Sequence, residues 1–398
     1  MTTLSRVRRR LLTVGPASRP RSLAFISSGM IAVQRGCLCM GIARSSNSVT
    51  LVDVAREAGV SLKTASRVLN REVSVSSSTL EKVQRAMAHL GYRPNELARG
   101  LKARKSATIG MVVKNLADPF AFNAVKAVQE VARVNGYIVI LASSGWDPDV
   151  ERSEVESLIR HQIEGLIISP VGSPKSNFLD IIPPDFHVVT LDQPMRKASF
   201  DSVMIDNRRS VRNAVQHLLE HGYERILALS TRPWLHTSVE RIAGYRDAMR
   251  KAGLESRIAL VEHESSITRE WLDEVVLKQH KADAVITMNW VCTIAALRGL
   301  KHNDKRLRKD VAFVSFDDFD LADMIHPTVS AVRQPTEEFG YEAARLLIQR
   351  LKGTGPKTQQ SIVLPTRFIA RESCGCKPLN EDDARSPAKR VGLIAKRQ

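Results

Sequence analysis

Residues 50–70 read TLVDVAREAGVSLKTASRVLN, and their spacing decides the first domain. Leu51, Val54, Ala55 and Ala58 fall on one face of a helix that Thr50 can cap. Gly59 ends that helix where a positive φ costs little. Ser61 then caps a second helix whose inward residues are Ala65, Val68 and Leu69. A third helix is predicted from about Ser77 to Leu90, with Leu80, Val83, Met87 and Leu90 as its apolar stripe. Two helices joined by a tight glycine turn and braced by a third form the helix-turn-helix arrangement, which lays its second helix in the major groove of DNA. Lys63 and Arg67 share a face of that helix, with Leu62 and Ser66 beside them. A cation suits the edge of guanine, and Leu62 suits a thymine methyl. Ser61, Asn70 and Ser76 are placed for phosphate contacts, which position a protein without specifying sequence.

The charge distribution points the same way. The 398 residues carry 59 Lys+Arg against 42 Asp+Glu, a formal net charge of +17. Residues 1–47 contribute +8, residues 48–108 contribute +6 and residues 374–398 contribute +3, which leaves residues 109–373 neutral. A basic module on a neutral body suits nucleic acid better than a generally cationic chain does. The length corresponds to two or three domains. No run of about 18 uncharged apolar residues occurs, so no membrane span is expected. The Arg- and Ser-rich residues 1–47 read as a disordered basic extension, or as sequence ahead of a start at Met40. A leader peptide is disfavoured because no clear small-residue cleavage site follows the weak apolar patch from Leu23 to Val33.

Residues 91–106 continue as GYRPNELARGLKARKS. Pro94 stops the preceding element, and Asn95 can cap a short helix from Glu96 to Lys102. Leu101 is then an apolar residue in a basic linker, of the kind that wedges between base steps in the minor groove. Over residues 50–104 the chain resembles the DNA-binding head of the lactose/galactose repressor (LacI/GalR) family, through TLVDVAREAGVSLKTASRVLN and YRPNELARGLK. The resemblance places Leu62, Lys63 and Arg67 where that family reads operator bases. It places Ala98, Leu101 and Lys102 where the family's hinge helix enters the minor groove. It also implies hinge helices that order as a pair, hence a homodimer on a pseudo-palindromic operator.

Residues 107–373 alternate short apolar runs with amphipathic segments. Strands are predicted at 108–113, 137–142, 165–169, 187–191, 225–229, 284–288 and 311–316. Helical patterns cover Phe122–Val134, Val150–Gln162, Arg208–His221, Ser238–Ala252 and Val291–Leu300. The alternation implies parallel, doubly wound sheets, and the length implies two lobes with a ligand crevice at the strand carboxyl ends. This body resembles the α/β periplasmic-binding-protein-like (type I) effector domain of the same family. That resemblance implies three chain crossings, near Met204, Gln334 and Val363.

Arg241, Asn289, Asp317 and Asp318 all follow predicted strand ends. A guanidinium fork, an amide and a carboxylate supply the paired hydrogen bonds that a polyhydroxylated or nitrogenous ligand needs. By resemblance Arg241, Asn289 and Asp317 match effector-contacting positions, and Phe120 an aromatic at the cleft floor. Trp290 departs from the family, which usually has Asp after that Asn; its ring is read as a ligand platform or as a replacement for a charge between the lobes. The effector expected is a small metabolite of the sugar or sugar-acid class, with polyols and purines in the wider set.

Other signals fail. No G-x-S-x-G, H-E-x-x-H or G-x4-G-K-[ST] motif occurs, so no catalytic residue is expected. Cysteines stand at 37, 39, 292, 374 and 376. The C-x-C pairs lack the C-x2-C spacing of a zinc site and read as reduced thiols. His217 and His221 are four apart, as metal ligands can be, but a cationic His near the helix end at Gly222 is favourable in its own right. No metal or cofactor is therefore expected. Residues 374–398 read as a flexible basic tail without the leucine heptads that join dimers into tetramers. The domains expected are thus a helix-turn-helix head at 48–93, a hinge and linker at 94–106 and the two-lobed body at 107–373. The reading is a cytoplasmic bacterial transcription regulator, a repressor under small-molecule control and not an enzyme. The alternative is a solute-binding protein without DNA-binding activity.

Overall fold

The computed structural model describes residues 49–69, 75–93, 106–195, 198–302 and 311–376. Asn70, Ala98, Leu101 and Lys102, with the basic extension 1–47 and the residues after Cys376, lie outside the described residues. The chain divides into two compact units, with the boundary between Arg93 and Pro94.

The first unit contains three helices: α1 (Leu51–Glu57), α2 (Leu62–Leu69) and α3 (Ser77–His89). Thr50 and Asp53 form a reciprocal capping box that satisfies the first free amides of α1. Gly59 takes φ +66°, the left-handed turn that lets α2 start at once. Val54, Ala55, Ala65, Val68, Val83 and Ala86 form the buried core, two residues from each helix. Leu80, expected inward, is 36% exposed at the edge of this small core.

The second unit has two lobes, each built on a six-stranded sheet. In the first, β1 (Thr108–Val113), β2 (Ile138–Ser143), β3 (Gly165–Ile168), β4 (His187–Leu191), β5 (Asp201–Ile205) and β11 (Ser361–Leu364) run in the order β11-β5-β4-β3-β1-β2. In the second, β6 (Ile226–Thr231), β7 (Arg257–Val261), β8 (Ala284–Thr287), β9 (Ala312–Phe316), β10 (Ser330–Arg333) and β12 (Arg367–Ile369) run in the order β12-β10-β9-β8-β6-β7. Every pairing is parallel except that of β10 with β12. Helices α4 (Pro119–Val134), α5 (Pro148–Arg160), α6 (Asn207–Glu220), α7 (His236–Lys251), α8 (Arg269–Leu272), α9 (Trp290–His302) and α10 (Thr336–Leu351) connect the strands. Asp118, Asp147 and Asp206 cap α4, α5 and α6, and a proline follows the first two, so the chain turns into each helix shortly after leaving a strand.

The chain crosses between lobes three times, after β5, between β10 and α10, and between β11 and β12. These points lie within a few residues of Met204, Gln334 and Val363. Five strands were not foreseen: β5, β7, β10, β11 and β12. They are three to five residues long and each includes a polar residue, which shortens the apolar run that marks a strand. Helix α10 was also missed, although Phe339, Ala343, Leu346 and Leu347 carry its buried stripe. The reading of 374–398 as a tail needs correction at its start. Cys374 is 0% exposed, and Ser373 donates to the Phe313 carbonyl at 2.6 Å, so the body continues through this turn.

Helix α10 closes the first lobe by lying against α4. A Cβ at Gly340 would press into the Ala124 carbonyl oxygen, so only glycine permits this approach. Alanine is the better helix former by about 1 kcal/mol, so a stabilising Gly340→Ala would mean the contact can relax. Backbone against backbone has no rotamer to give. Gly340→Ala should therefore destabilise the body by roughly 1–3 kcal/mol. Urea denaturation of the full chain checks this; an unchanged or raised midpoint would contradict the packing.

Candidate functional site

The cleft of the body is built at strand carboxyl ends, where side chains of both lobes face one another. Lys114 and Asp118 follow β1, Trp146 follows β2 and Asp192 follows β4 on the first lobe. Arg232 follows β6, Asn289 and Trp290 follow β8 and Asp317 follows β9 on the second. These residues share a cavity with Phe120, Arg241 and Gln334. It adjoins a larger space of about 340 Å³, lined in part by Asp118, Phe120, Trp290, Asp317 and Gln334. A volume of this size holds a small metabolite.

All five residues singled out in the sequence therefore meet here: Phe120, Arg241, Asn289, Trp290 and Asp317. Arg241, in α7, is 4% exposed. Its Nε donates to Asn207 Oδ1 at 2.7 Å, and another guanidinium nitrogen donates to the Met288 carbonyl at 2.6 Å. The guanidinium also lies 3.6 Å from the centre of the Phe316 ring, a cation–π contact. Asp317 accepts from the Trp290 backbone amide at 3.1 Å and from the Gln334 side chain, whose own oxygen is buried without a protein partner. Asn289 donates to Thr231 Oγ1 at 2.9 Å and accepts from the Cys292 amide. Phe120 packs edge-on against Phe339, with ring centres 5.0 Å apart. Trp290 sits 5.2 Å from Phe319. Asp318, beside Asp317, is instead held by Arg333 and Arg371, which makes it a brace within the second lobe.

The sequence reading missed Lys114, Asp118, Trp146, Asp192, Arg232 and Gln334. Most stand within a few residues of strands it did locate, so the strand-end rule alone would have found them. Lys114 Nζ lies 2.5 Å from Asp192 Oδ2, and Lys114 and Arg232 both approach the Trp146 ring, at 5.0 and 4.3 Å from its centre. Four cleft residues share one further property. Trp146, Asp192, Arg232 and Asp317 all have left-handed backbones, with φ of 68°, 70°, 49° and 77°. Non-glycine residues in this region store strain, and such strain clusters where geometry serves a ligand.

Asp118, Asp192 and Asp317 share the cavity with Lys114, Arg232 and Arg241. Burial alone would raise Asp192, but Lys114 and Arg241 hold it below the ordinary carboxylate range. Burial raises Asp317 despite the pull of Arg241. Burial and the nearby Asp317 push Asp118 up to about 6.

In the head, Leu62 is 49% exposed at the start of α2, with Lys63 and Arg67 exposed and Ser66 half-buried beside it. The four positions span about 140° of helix, opposite buried Ala65 and Val68. Ser61 Oγ accepts from the Thr64 amide at 3.1 Å, and Ser76 Oγ from the Thr79 amide at 3.4 Å. Both hydroxyls thus cap helices, a local role beside the phosphate contacts expected of them. Among the described residues no helix is long and apolar enough to cross a membrane.

Residues 50–95 match the family described as bacterial regulatory proteins, lacI family, and residues 215–374 match the periplasmic binding protein-like domain. The HTH-type transcriptional regulator CelR of Thermobifida fusca is 35% identical over 341 residues, 81% of this chain and 98% of that protein. The HTH-type transcriptional regulator PtxS of Pseudomonas putida KT2440 is 30% identical over 315 residues, 78% of this chain and 92% of that protein. Among solved structures, a complex of transcriptional regulator CelR with cellobiose is similar at TM-score 0.61 and 30% identity, covering 81% of this chain and 99% of that one. The lac repressor dimer bound to operator and the anti-inducer ONPF has the same fold at TM-score 0.67 and 24% identity, covering 82% of this chain and 99% of that one.

The Asp118 shift has a stability consequence of definite sign. A carboxyl raised from 3.8 to about 6 by folding stabilises the fold below the lower value and loses that contribution as pH rises through the upper one. Asparagine caps a helix as well as aspartate does. Asp118→Asn should therefore stabilise the ligand-free protein by about 1–2 kcal/mol near pH 7, after discounting for partial exposure. The difference should shrink steadily towards pH 4. Paired thermal melts across that range check it; a gap that is constant or widens on acidification would contradict the charge cluster.

Proposed function

This chain belongs to the lacI family of bacterial regulatory proteins, and on that premise we propose that a sugar-class metabolite in the body cleft controls its affinity for operator DNA. The observation that carries this reading is the composition of the cleft. Arg241 and Lys114 donate, Asp118, Asp192 and Asp317 accept, and Asn289 and Gln334 do both. A sugar presents many hydroxyls, each able to give and to take one hydrogen bond. Trp146, Trp290 and Phe120 add flat apolar faces that suit the carbon face of a pyranose or furanose ring. Similarity to the regulator crystallised with cellobiose supports the same class. A sugar acid, a polyol and a purine remain in the same screen.

In this reading Leu62, Lys63 and Arg67 read base edges, while Ser61, Ser66, Asn70 and Ser76 hold phosphates. Ala98, Leu101 and Lys102 enter the minor groove as the hinge, and a homodimer binds a pseudo-palindromic site. Exposed apolar residues on the first lobe support self-association: Phe122 on α4 at 65% and Ile138 on edge strand β2 at 68%. The effector acts by changing how the lobes close about the three crossings, and so how the paired hinges meet DNA. A DNA-reading protein of this kind works in the cytoplasm, and its cleft serves binding rather than catalysis.

The test is a thermal-shift screen of sugars, sugar acids, polyols and purines on the full chain, followed by operator-binding assays with the best ligand. A concentration-dependent rise in melting temperature is expected for a sugar-class ligand. Arg241→Lys keeps the buried charge but cannot reproduce the fork that holds both Asn207 and the Met288 carbonyl. It should weaken the ligand response by roughly tenfold or more while operator affinity stays within about threefold. A normal response in the variant would remove Arg241 from the effector site. Failure of the full chain to bind any palindromic duplex in a salt-dependent way would favour a solute-binding protein instead.

A further inference from the structure

Two segments far apart in the sequence bring three groups together at the far end of helix α6. His217 and His221 stand one turn apart at its carboxyl terminus, and Cys376 reaches them from the turn after β12. The ligating atoms of His217, His221 and Cys376 all lie within 4.8 Å of one another. Cys376 Sγ is 3.5 Å from His217 Nε2 and 3.4 Å from His221 Nε2. A tetrahedral ion with metal–sulfur bonds of about 2.3 Å and metal–nitrogen bonds of about 2.0–2.1 Å separates sulfur and nitrogen ligands by about 3.5 Å. The two sulfur–nitrogen spacings are therefore those of a tetrahedral site. Cys374 Sγ lies 3.1 Å from the same His217 nitrogen.

The surroundings are those of a prepared site. His221 Nδ1 lies 3.0 Å from the His217 carbonyl, an acceptor only, so this ring nitrogen carries the proton and Nε2 keeps its lone pair towards Cys376. The His217 ring is held against Phe368, with centres 4.6 Å apart. The cysteine turn is pinned separately. Glu372 accepts from the Thr328 amide at 2.9 Å, and Ser373 accepts from the Ser330 amide at 2.8 Å. Gly375 adopts φ +97°, and a Cβ there would sit 2.9 Å from Tyr223 Oη and 3.2 Å from His221 Cδ2. Only glycine lets this turn approach the histidines so closely. Two independently anchored elements thus present two imidazoles and a thiol to one point, with His221 exposed for entry.

We propose that His217, His221 and Cys376 form a binding site for a borderline-soft divalent cation of the Zn²⁺ class. Nitrogen and sulfur ligands in tetrahedral array select such ions over Mg²⁺ or Ca²⁺. Binding clips the turn after β12 to α6, the helix whose first residue, Asn207, holds Arg241.

The test uses reduced, metal-free full-chain protein carrying Cys37→Ser and Cys39→Ser, which leaves Cys292, Cys374 and Cys376 as the thiols. Titration with Co²⁺ should produce tetrahedral d–d bands and a thiolate charge-transfer band that saturate at one ion per chain and vanish on adding Zn²⁺. Zn²⁺ should also raise the melting temperature. Cys376→Ser in that background should weaken the charge-transfer band and lower Co²⁺ affinity by roughly tenfold or more, and the exposed His221→Gln should cost affinity similarly, with unchanged circular dichroism. Absence of these bands at stoichiometric Co²⁺ would overturn the proposal. So would bands and affinity that persist unaltered when Cys376→Ser and His221→Gln are combined.

Discussion

A buried guanidinium governs the cleft. Arg241 is almost wholly removed from water, and an isolated buried charge of that kind is prohibitive without partners. Its partners come from distant parts of the chain: Asn207 just after the first crossing, the Met288 carbonyl at the end of β8, and the face of Phe316 in β9. The carboxylates of Asp317, Asp192 and Asp118 supply the balancing field, from both lobes. Removing one member of such a set typically costs about 3–5 kcal/mol, because the others remain buried and unpaired. The lobes are therefore joined electrically as well as by three strands of chain. A ligand that takes over part of this hydrogen bonding changes the balance between them.

The acids and the strained backbones belong to the same design. Burial and the neighbouring Asp317 make the charged form of Asp118 costly, and four left-handed residues ring the space at strand ends. Each feature weakens the ligand-free fold. In the proposed reading a polyhydroxylated ligand donates to the acids and accepts from Arg241 and Lys114. Sites that trade stability for ligand geometry commonly have this form.

Much of this was legible from residues 50–70 and from the strand runs. TIGMVV, HVVTL and VAFVSF are central parallel strands buried on both faces, so their apolar runs are unbroken and easily read. DSVMI, SAVR and RFI are no less regular in the fold, but they are short and partly polar, and their positions follow from neighbours rather than from their own composition. The cleft residues were found where a strand end coincided with a family position. Trp146 and Asp192 were overlooked although their strands were in hand. The histidine–cysteine cluster was invisible for a different reason. Cys376 and His221 are 155 residues apart, and the polar sequence after Gly375 disguised a turn that packs into the body.

Control of DNA binding requires coupling between the cleft and the DNA-reading head. Thermodynamic linkage requires that any change a sugar makes in operator affinity be matched by an equal change that operator makes in sugar affinity. Calorimetric titration of the sugar into the full chain, with and without saturating operator duplex, measures that factor. We predict a ratio of roughly five- to 150-fold between the two dissociation constants, equal to the ratio of operator affinities with and without sugar. Equal sugar affinities in the two titrations would contradict a cleft that controls DNA binding.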